Sequence, residues 1–178
     1  MNIGIPAETR PGETRVAATP ETVKKLVAGK HSVLVQSGAG AGASIPDADF
    51  QAAGAALASS AADVYARAEV ILKVRPPQGG ELGMLRRDQV LVGMLNRFDA
   101  DGLAAIARTG ATAFALEAAP RITRAQPLDV LSSQANLGGY KAVMVAANHF
   151  GKIFPMLMTA AGTIKAARVV VMGVYTGR

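Results

Sequence analysis

The run Thr19-Pro20-Glu21-Thr22-Val23-Lys24-Lys25-Leu26-Val27-Ala28-Gly29-Lys30-His31-Ser32-Val33-Leu34-Val35-Gln36 reads as a helix followed by a buried strand. Thr19 is a helix N-cap, Pro20 fits the first helical position because its missing N–H would have no partner there, and Glu21 sits near the positive helix end. Val23, Leu26 and Val27 share one face and Gly29 closes the helix, after which Ser32–Gln36 is a short β-branched run. Upstream, Asn2–Pro6 is a strand as well, so the chain opens as strand, helix, strand.

The same alternation continues outward. Further strands are predicted at Glu69–Val74, Gln89–Leu95, Ala111–Leu116 and Arg168–Met172. Ser60-Ala61-Ala62-Asp63 resembles a capping box, and Asp99 caps a helix whose apolar Leu103, Ala104 and Ile106 end at Gly110. Apolar strands alternating with helices predict an α/β doubly wound, mostly parallel sheet of Rossmann-like type over residues 1–129. A helix-length stretch, Val130–Phe150, crosses out of that domain, so that 130–166 read as crossover helix and connector. Residues 167–178 then read as the first strand of a following domain. In doubly wound sheets ligands gather beyond the carboxyl ends of the strands, which directs attention to Arg75–Gly80, Asn96–Asp99 and the segment from Glu117 onward.

Composition narrows the function. The 178 residues include no cysteine and no tryptophan, 19 Lys and Arg against 13 Asp and Glu, and 50% apolar residues, as in ordinary globular proteins. Disulfides and cysteine-bound metals are excluded. The +6 charge is scattered singly or in pairs such as Lys24-Lys25 and Arg86-Arg87, without the basic stripe of a nucleic-acid binder, so no nucleic-acid partner is expected. Arginines also suit anionic small ligands, which the guanidinium fork grips in bidentate fashion. Asn2–Pro6 follows Met1 at once with no secretory pattern, and the most apolar stretches, Leu103–Ala119 and Ala142–Met158, are broken by charge, so a cytoplasmic chain without a membrane span is expected.

Several motifs carry little chemistry. Ser37-Gly38-Ala39-Gly40-Ala41-Gly42-Ala43 lacks the spacing of a dinucleotide loop and reads as a loop. His31 and His149 have no ligand-like neighbours, so they read as structural and no metal site is expected. Met156 and Met158 read as core filling. Lys73 stands at the end of an apolar strand, where it either meets an anion or snorkels to solvent; Arg15 reads as half of a surface pair with Glu13 or Glu8.

Longer motifs resemble a family. Ile3-Gly4-Ile5-Pro6-Ala7-Glu8-Thr9 with Glu13-Thr14-Arg15-Val16-Ala17-Ala18-Thr19-Pro20, and Ile71-Leu72-Lys73-Val74-Arg75-Pro76-Pro77, resemble the alanine dehydrogenase and nicotinamide nucleotide transhydrogenase superfamily. The segment from Arg121 to Leu137, then Gly139-Tyr140-Lys141-Ala142-Val143 and Phe154–Ile164, resembles the α subunit of proton-translocating transhydrogenases. The resemblance implies an oxidoreductase component that binds NAD(H) and exchanges hydride with NADP(H) on a β subunit. It further implies membrane segments in partner subunits, a homodimer, and a place peripheral to the inner membrane. By that resemblance Arg121 and Asp129 hydrogen-bond the nicotinamide carboxamide, Ser132 completes the clamp, and Gln126 reaches toward the second nucleotide, making Gln126 and Asp129 the catalytic pair. The family continues into an NAD-binding domain, of which 167–178 would be the start, and the chain alone is expected to be inactive. Alanine dehydrogenases resemble the chain at Arg15 and Lys73 but carry a histidine where Gly93-Met94-Leu95-Asn96-Arg97-Phe98 stands. An alanine dehydrogenase-like enzyme and a catalytically silent fragment are the alternatives.

Overall fold

A computed structural model describes residues 1–120 and 122–172, and the chain divides into two compact units, Met1–Pro120 and Arg121–Arg178. In the first unit the strands are β1 (Asn2–Ile5), β2 (Ser32–Gln36), β3 (Ala56–Ala58), β4 (Val70–Leu72), β5 (Val90–Gly93) and β6 (Thr112–Ala115). All pair in parallel, in the order β3-β2-β1-β4-β5-β6. The order reverses between β1 and β4, where Ile3 is in register with Val33 on one side and Val70 on the other.

The helices are α1 (Pro20–Ala28), α2 (Asp47–Ala52), α3 (Ala61–Arg67), α4 (Gly80–Met84) and α5 (Ala100–Arg108). Their starts follow the local chemistry: the side chains of Thr19, Ser60 and Asp99 accept from the N–H groups of Thr22, Asp63 and Gly102. Helices α1 and α2 bury Val23 and Phe50 with Ile5, Val33 and Val35 on one face of the sheet. On the other, α3, α4 and α5 bury Val64, Tyr65 and Ile106 with Leu34, Ile71 and Leu91. Gly4 lets α3 lie close on β1, since a Cβ there would stand 2.7 Å from both Ala68 Cβ and Val64 Cγ1.

The two halves of the sheet differ. Val70, Val90 and Thr112 form one cross-strand row, and Leu72, Val92 and Phe114 the next, on the face opposite Ile71 and Leu91. Toward the β6 edge these rows become exposed, with Phe114 at 56%.

Strand β3 was not expected from the sequence. Gly54-Ala55-Ala56-Leu57-Ala58 has no β-branched residue, and its strand character comes from pairing Ala56, Leu57 and Ala58 against Leu34, Val35 and Gln36. The glycine-rich segment after β2 is a loop with a single 3₁₀ turn at Ala41–Ala43, fastened by Asp47, which accepts from the Ser37 hydroxyl and the Gly38 N–H (2.9 Å).

In the second unit, a 3₁₀ segment at Thr123–Leu128 leads into α6 (Val130–His149), and β7 (Leu157–Thr159) pairs with β8 (Gly162–Ile164) as an antiparallel hairpin. A helix thus forms over nearly all of the predicted Val130–Phe150 stretch. Met156 and Met158 do not fill a core: they are 60% and 71% exposed, because β7 takes part in a two-stranded hairpin with no layer packed on it among the described residues. The expected strand at Arg168–Met172 is not formed either, since no described strand runs beside it to complete its backbone hydrogen bonds. Residues 173–178 lie outside the described residues. No helix among the described residues is long and apolar enough to cross a membrane.

Candidate functional site

The loops that follow β1 and β4 meet beyond the point where the strand order reverses, the position at which doubly wound sheets open a crevice. Lys73, the residue after β4, has a buried side chain, as has Glu8 after β1. Its ammonium lies 2.5 Å from Glu81 Oε1 and 3.8 Å from Glu8 Oε2. The anion that the sequence left open is therefore supplied from within the chain. Glu81, in the first turn of α4, is shared further: Oε1 accepts from the Tyr65 hydroxyl (3.3 Å), and Oε2 from the Thr9 hydroxyl (2.9 Å) and the Gln78 N–H (3.0 Å). Burial, with the Glu81 carboxylate beside it, pushes the Tyr65 hydroxyl well above its ordinary value, so Tyr65 acts as a donor only.

Glu8 ties two loops together. Its Oε1 accepts from the Val74 N–H (2.7 Å) and its Oε2 from the Arg75 N–H (3.2 Å). Burial raises its pKa above the ordinary carboxylate value, against the pull of Lys73 and the two N–H groups, and the Glu81 charge adds to the rise. Gly93 of β5 closes the arrangement from the side: a Cβ there would stand 2.5 Å from the Lys73 carbonyl oxygen, so only glycine admits this approach of β4 and β5.

Nearer the surface, Glu13 is held between two guanidinium groups. Arg15 donates to both its oxygens (2.7 and 2.6 Å), and Arg75 Nε donates to Oε2 (2.8 Å). Those hydrogen bonds, from Arg15 first, hold the Glu13 carboxyl down at about 2. Of the two partners left open for Arg15, Glu13 is the one hydrogen-bonded to it. Beyond β6, Glu117 accepts from the Leu95 N–H (3.1 Å) and the Arg97 N–H (3.0 Å), fixing the loop after β5.

The residues expected on the nicotinamide side belong to the second unit. Asp129 caps α6: Oδ1 accepts from the Ser132 N–H (3.0 Å) and Oδ2 from the Ser132 hydroxyl (2.6 Å), so the two predicted residues are brought together. Gln126 is exposed in the 3₁₀ segment before them. Arg121 lies outside the described residues.

A primary carboxamide offers two N–H donors and one acceptor oxygen. The half-buried Asp129–Ser132 pair carries carboxylate and hydroxyl oxygens of acceptor type, and the exposed Gln126 amide has both donor and acceptor capacity, so the chemistry of these residues fits such a group.

Sequence reasoning had not singled out Glu81, Tyr65 or the loop-pinning role of Glu117. Glu81 lies eight residues beyond Lys73, past Pro76-Pro77, in no periodic relation to it; its sole signal is an acid in a helix's first turn.

A parallel sheet in this strand order, with charged loops at its reversal, defines a doubly wound α/β protein of the Rossmann-like class. Within that class the chain belongs to the alanine dehydrogenase/PNT N-terminal domain family, whose model matches residues 4–138. It is 48% identical over 180 aligned residues, 98% of this chain and 47% of the relative, to the first part of the NAD(P) transhydrogenase subunit alpha of Rhodospirillum rubrum. It is also 38% identical to the alanine dehydrogenase of Mycobacterium tuberculosis, over 99% of this chain and 48% of that protein. Among solved structures, the transhydrogenase from Sinorhizobium meliloti superimposes with a TM-score of 0.89 at 46% identity, covering 94% of this chain and 50% of that one. The chain thus spans about half the length of these relatives.

Proposed function

We propose that this chain is the nicotinamide-side portion of the NAD(H)-binding α subunit of a proton-translocating transhydrogenase. The observation that carries this reading is the 48% identity to a transhydrogenase α subunit, running through 98% of the chain. Arg121, Gln126, Asp129 and Ser132 are the residues assigned to the nicotinamide. Bound NAD(H) would supply the hydride chemistry, and the protein has only to hold two rings face to face, which needs positioning groups rather than an acid or base. Asp129 holds Ser132 and the start of α6 in place, the pair presents acceptors to the carboxamide N–H groups, and Gln126 points its amide toward NADP(H) carried by a β subunit. The α subunit would act as a homodimer on the cytoplasmic side, held peripheral to the inner membrane by partner subunits.

Titration of the 178-residue chain with NADH, following nucleotide fluorescence, tests the assignment. Saturable binding that the Asp129→Ala chain loses is the expected result; equal binding by both chains would remove Asp129 from the site. An alanine dehydrogenase-like reading rests on Arg15 and Lys73, both of which the fold pairs with carboxylates of the chain itself. L-alanine-dependent NAD+ reduction is expected to be absent.

A further inference from the structure

At the reversal of the sheet two buried carboxylates, Glu8 and Glu81, face a single buried ammonium, Lys73. With all three ionised the cluster carries one uncompensated negative charge away from water, an arrangement that favours uptake of one proton. Glu81 is the better held of the two, by Lys73, Tyr65, Thr9 and the Gln78 N–H. Glu8 has the more distant ammonium and two backbone N–H groups. The other charges near Glu8 are Arg15, which it influences from a distance, and the Arg75 guanidinium, which is engaged with Glu13.

We propose that Glu8 is a proton-operated latch between the loop after β1 and the loop after β4: as a carboxylate it holds both the Val74 and Arg75 amides, and as a carboxylic acid it lets go of Arg75. The direction follows from the hydrogen-bond inventory. A neutral carboxyl keeps its carbonyl oxygen as a full acceptor, whereas its hydroxyl oxygen becomes a donor and a much weaker acceptor than a carboxylate oxygen. Its Oε1 makes the shorter bond, 2.7 Å to Val74, and Oε2 the longer, 3.2 Å to Arg75. A proton on Oε2 therefore keeps the stronger bond and weakens the longer one, because the Arg75 N–H then faces a hydroxyl oxygen in place of a carboxylate oxygen. The Arg75 backbone shifts away, and because its guanidinium shares Glu13 with Arg15, the hold on Glu13 passes to Arg15 alone. Burial of Glu8 places this uptake above the usual carboxylate range.

The latch is read by the pH dependence of the Val74 and Arg75 amide resonances in the ¹⁵N-labelled full chain, across the range in which carboxylates ordinarily titrate and upward from it, about pH 4 to 8. Arg75 is expected to move strongly and Val74 weakly, with one shared midpoint above that of an exposed glutamate. In Glu8→Gln the titration of Arg75 disappears, with its resonance fixed near the low-pH position. In Glu81→Gln the titration persists with a lower midpoint, because the competing like charge is gone. Flat Arg75 shifts in the folded wild-type chain, or a titration that survives Glu8→Gln, would overturn the latch. Both variants keep the shape of the side chain, and the wild-type titration alone decides the matter if either fails to fold.

Discussion

The two units handle charge in opposite ways. Residues 1–120 hold twelve Lys or Arg and twelve Asp or Glu, whereas residues 121–178 hold seven Lys or Arg and a single acid, Asp129. In the first unit the charges at the carboxyl ends of the strands are absorbed by one another: Lys73 by Glu81 and Glu8, Arg15 and Arg75 by Glu13. The second unit has too few carboxylates to do the same, and among its predicted nicotinamide-side residues Asp129 caps a helix and Gln126 is exposed. Residues of comparable chemical promise are thus paired with one another in the first unit, where acids and bases are equal in number, a balance that the second unit lacks.

The largest consequence is expected at Lys73. Truncation by Lys73→Ala leaves two buried carboxylates without their ammonium, a loss on the order of 3–5 kcal/mol in unfolding free energy. Urea denaturation checks it; a change below about 1 kcal/mol, typical of exposed ion pairs, would mean that the cluster is not desolvated in solution. A smaller effect is expected across the comparison, at Asp129→Ala, where loss of the cap costs about 1 kcal/mol. It should be seen as faster amide exchange in the first turn of α6, with no change in the sheet of the first unit.

Glu13 comes next. Its carboxyl is held at about 2 against an ordinary 4.5, so it contributes stability that is full above about 4.5 and is lost as pH falls through that window toward 2. Acid titration of stability should therefore be flatter over this window in Glu13→Gln than in the parent chain; parallel curves would show that the two arginines do not hold Glu13 in solution. The smallest stability effect is at Gln126→Ala, within about 0.5 kcal/mol, since the side chain is exposed. The same substitution, in a protein completed by the rest of the α subunit and mixed with its β partner, should slow transhydrogenation. Unchanged turnover would put Gln126 outside the reaction.

Much of the sheet was legible because its strands announce themselves by their own composition. Ser32–Gln36 and Val90–Gly93 are apolar and β-branched, and Thr19, Ser60 and Asp99 mark helix starts where their side chains do cap. What escaped depends on neighbours rather than on the segment itself. Ala56–Ala58 is a strand because β2 lies beside it, and Leu157–Thr159 because Gly162–Ile164 folds back on it. Arg168–Met172 has the composition of a strand and no neighbour among the described residues. At the site, the demand of Lys73 for an anion could be read from its strand, but the identity of Glu81 could not, since the turn through Pro76-Pro77 brings it back across a gap with no period.

The thinning of cover toward β6 bears on how long each part of the crevice keeps its shape. Strands flanked on both sides and packed on both faces, β1 and β4, should give up their amide hydrogens to deuterium last, and the exposed edge strand β6 among the first. Glu117 lies just beyond β6 and is the group that fastens the Leu95 and Arg97 amides. Each brief fraying of that edge therefore loosens the loop after β5 while the Glu8–Lys73 side stays closed, so that one wall of the crevice breathes on the clock of the least protected strand and the other on that of the best.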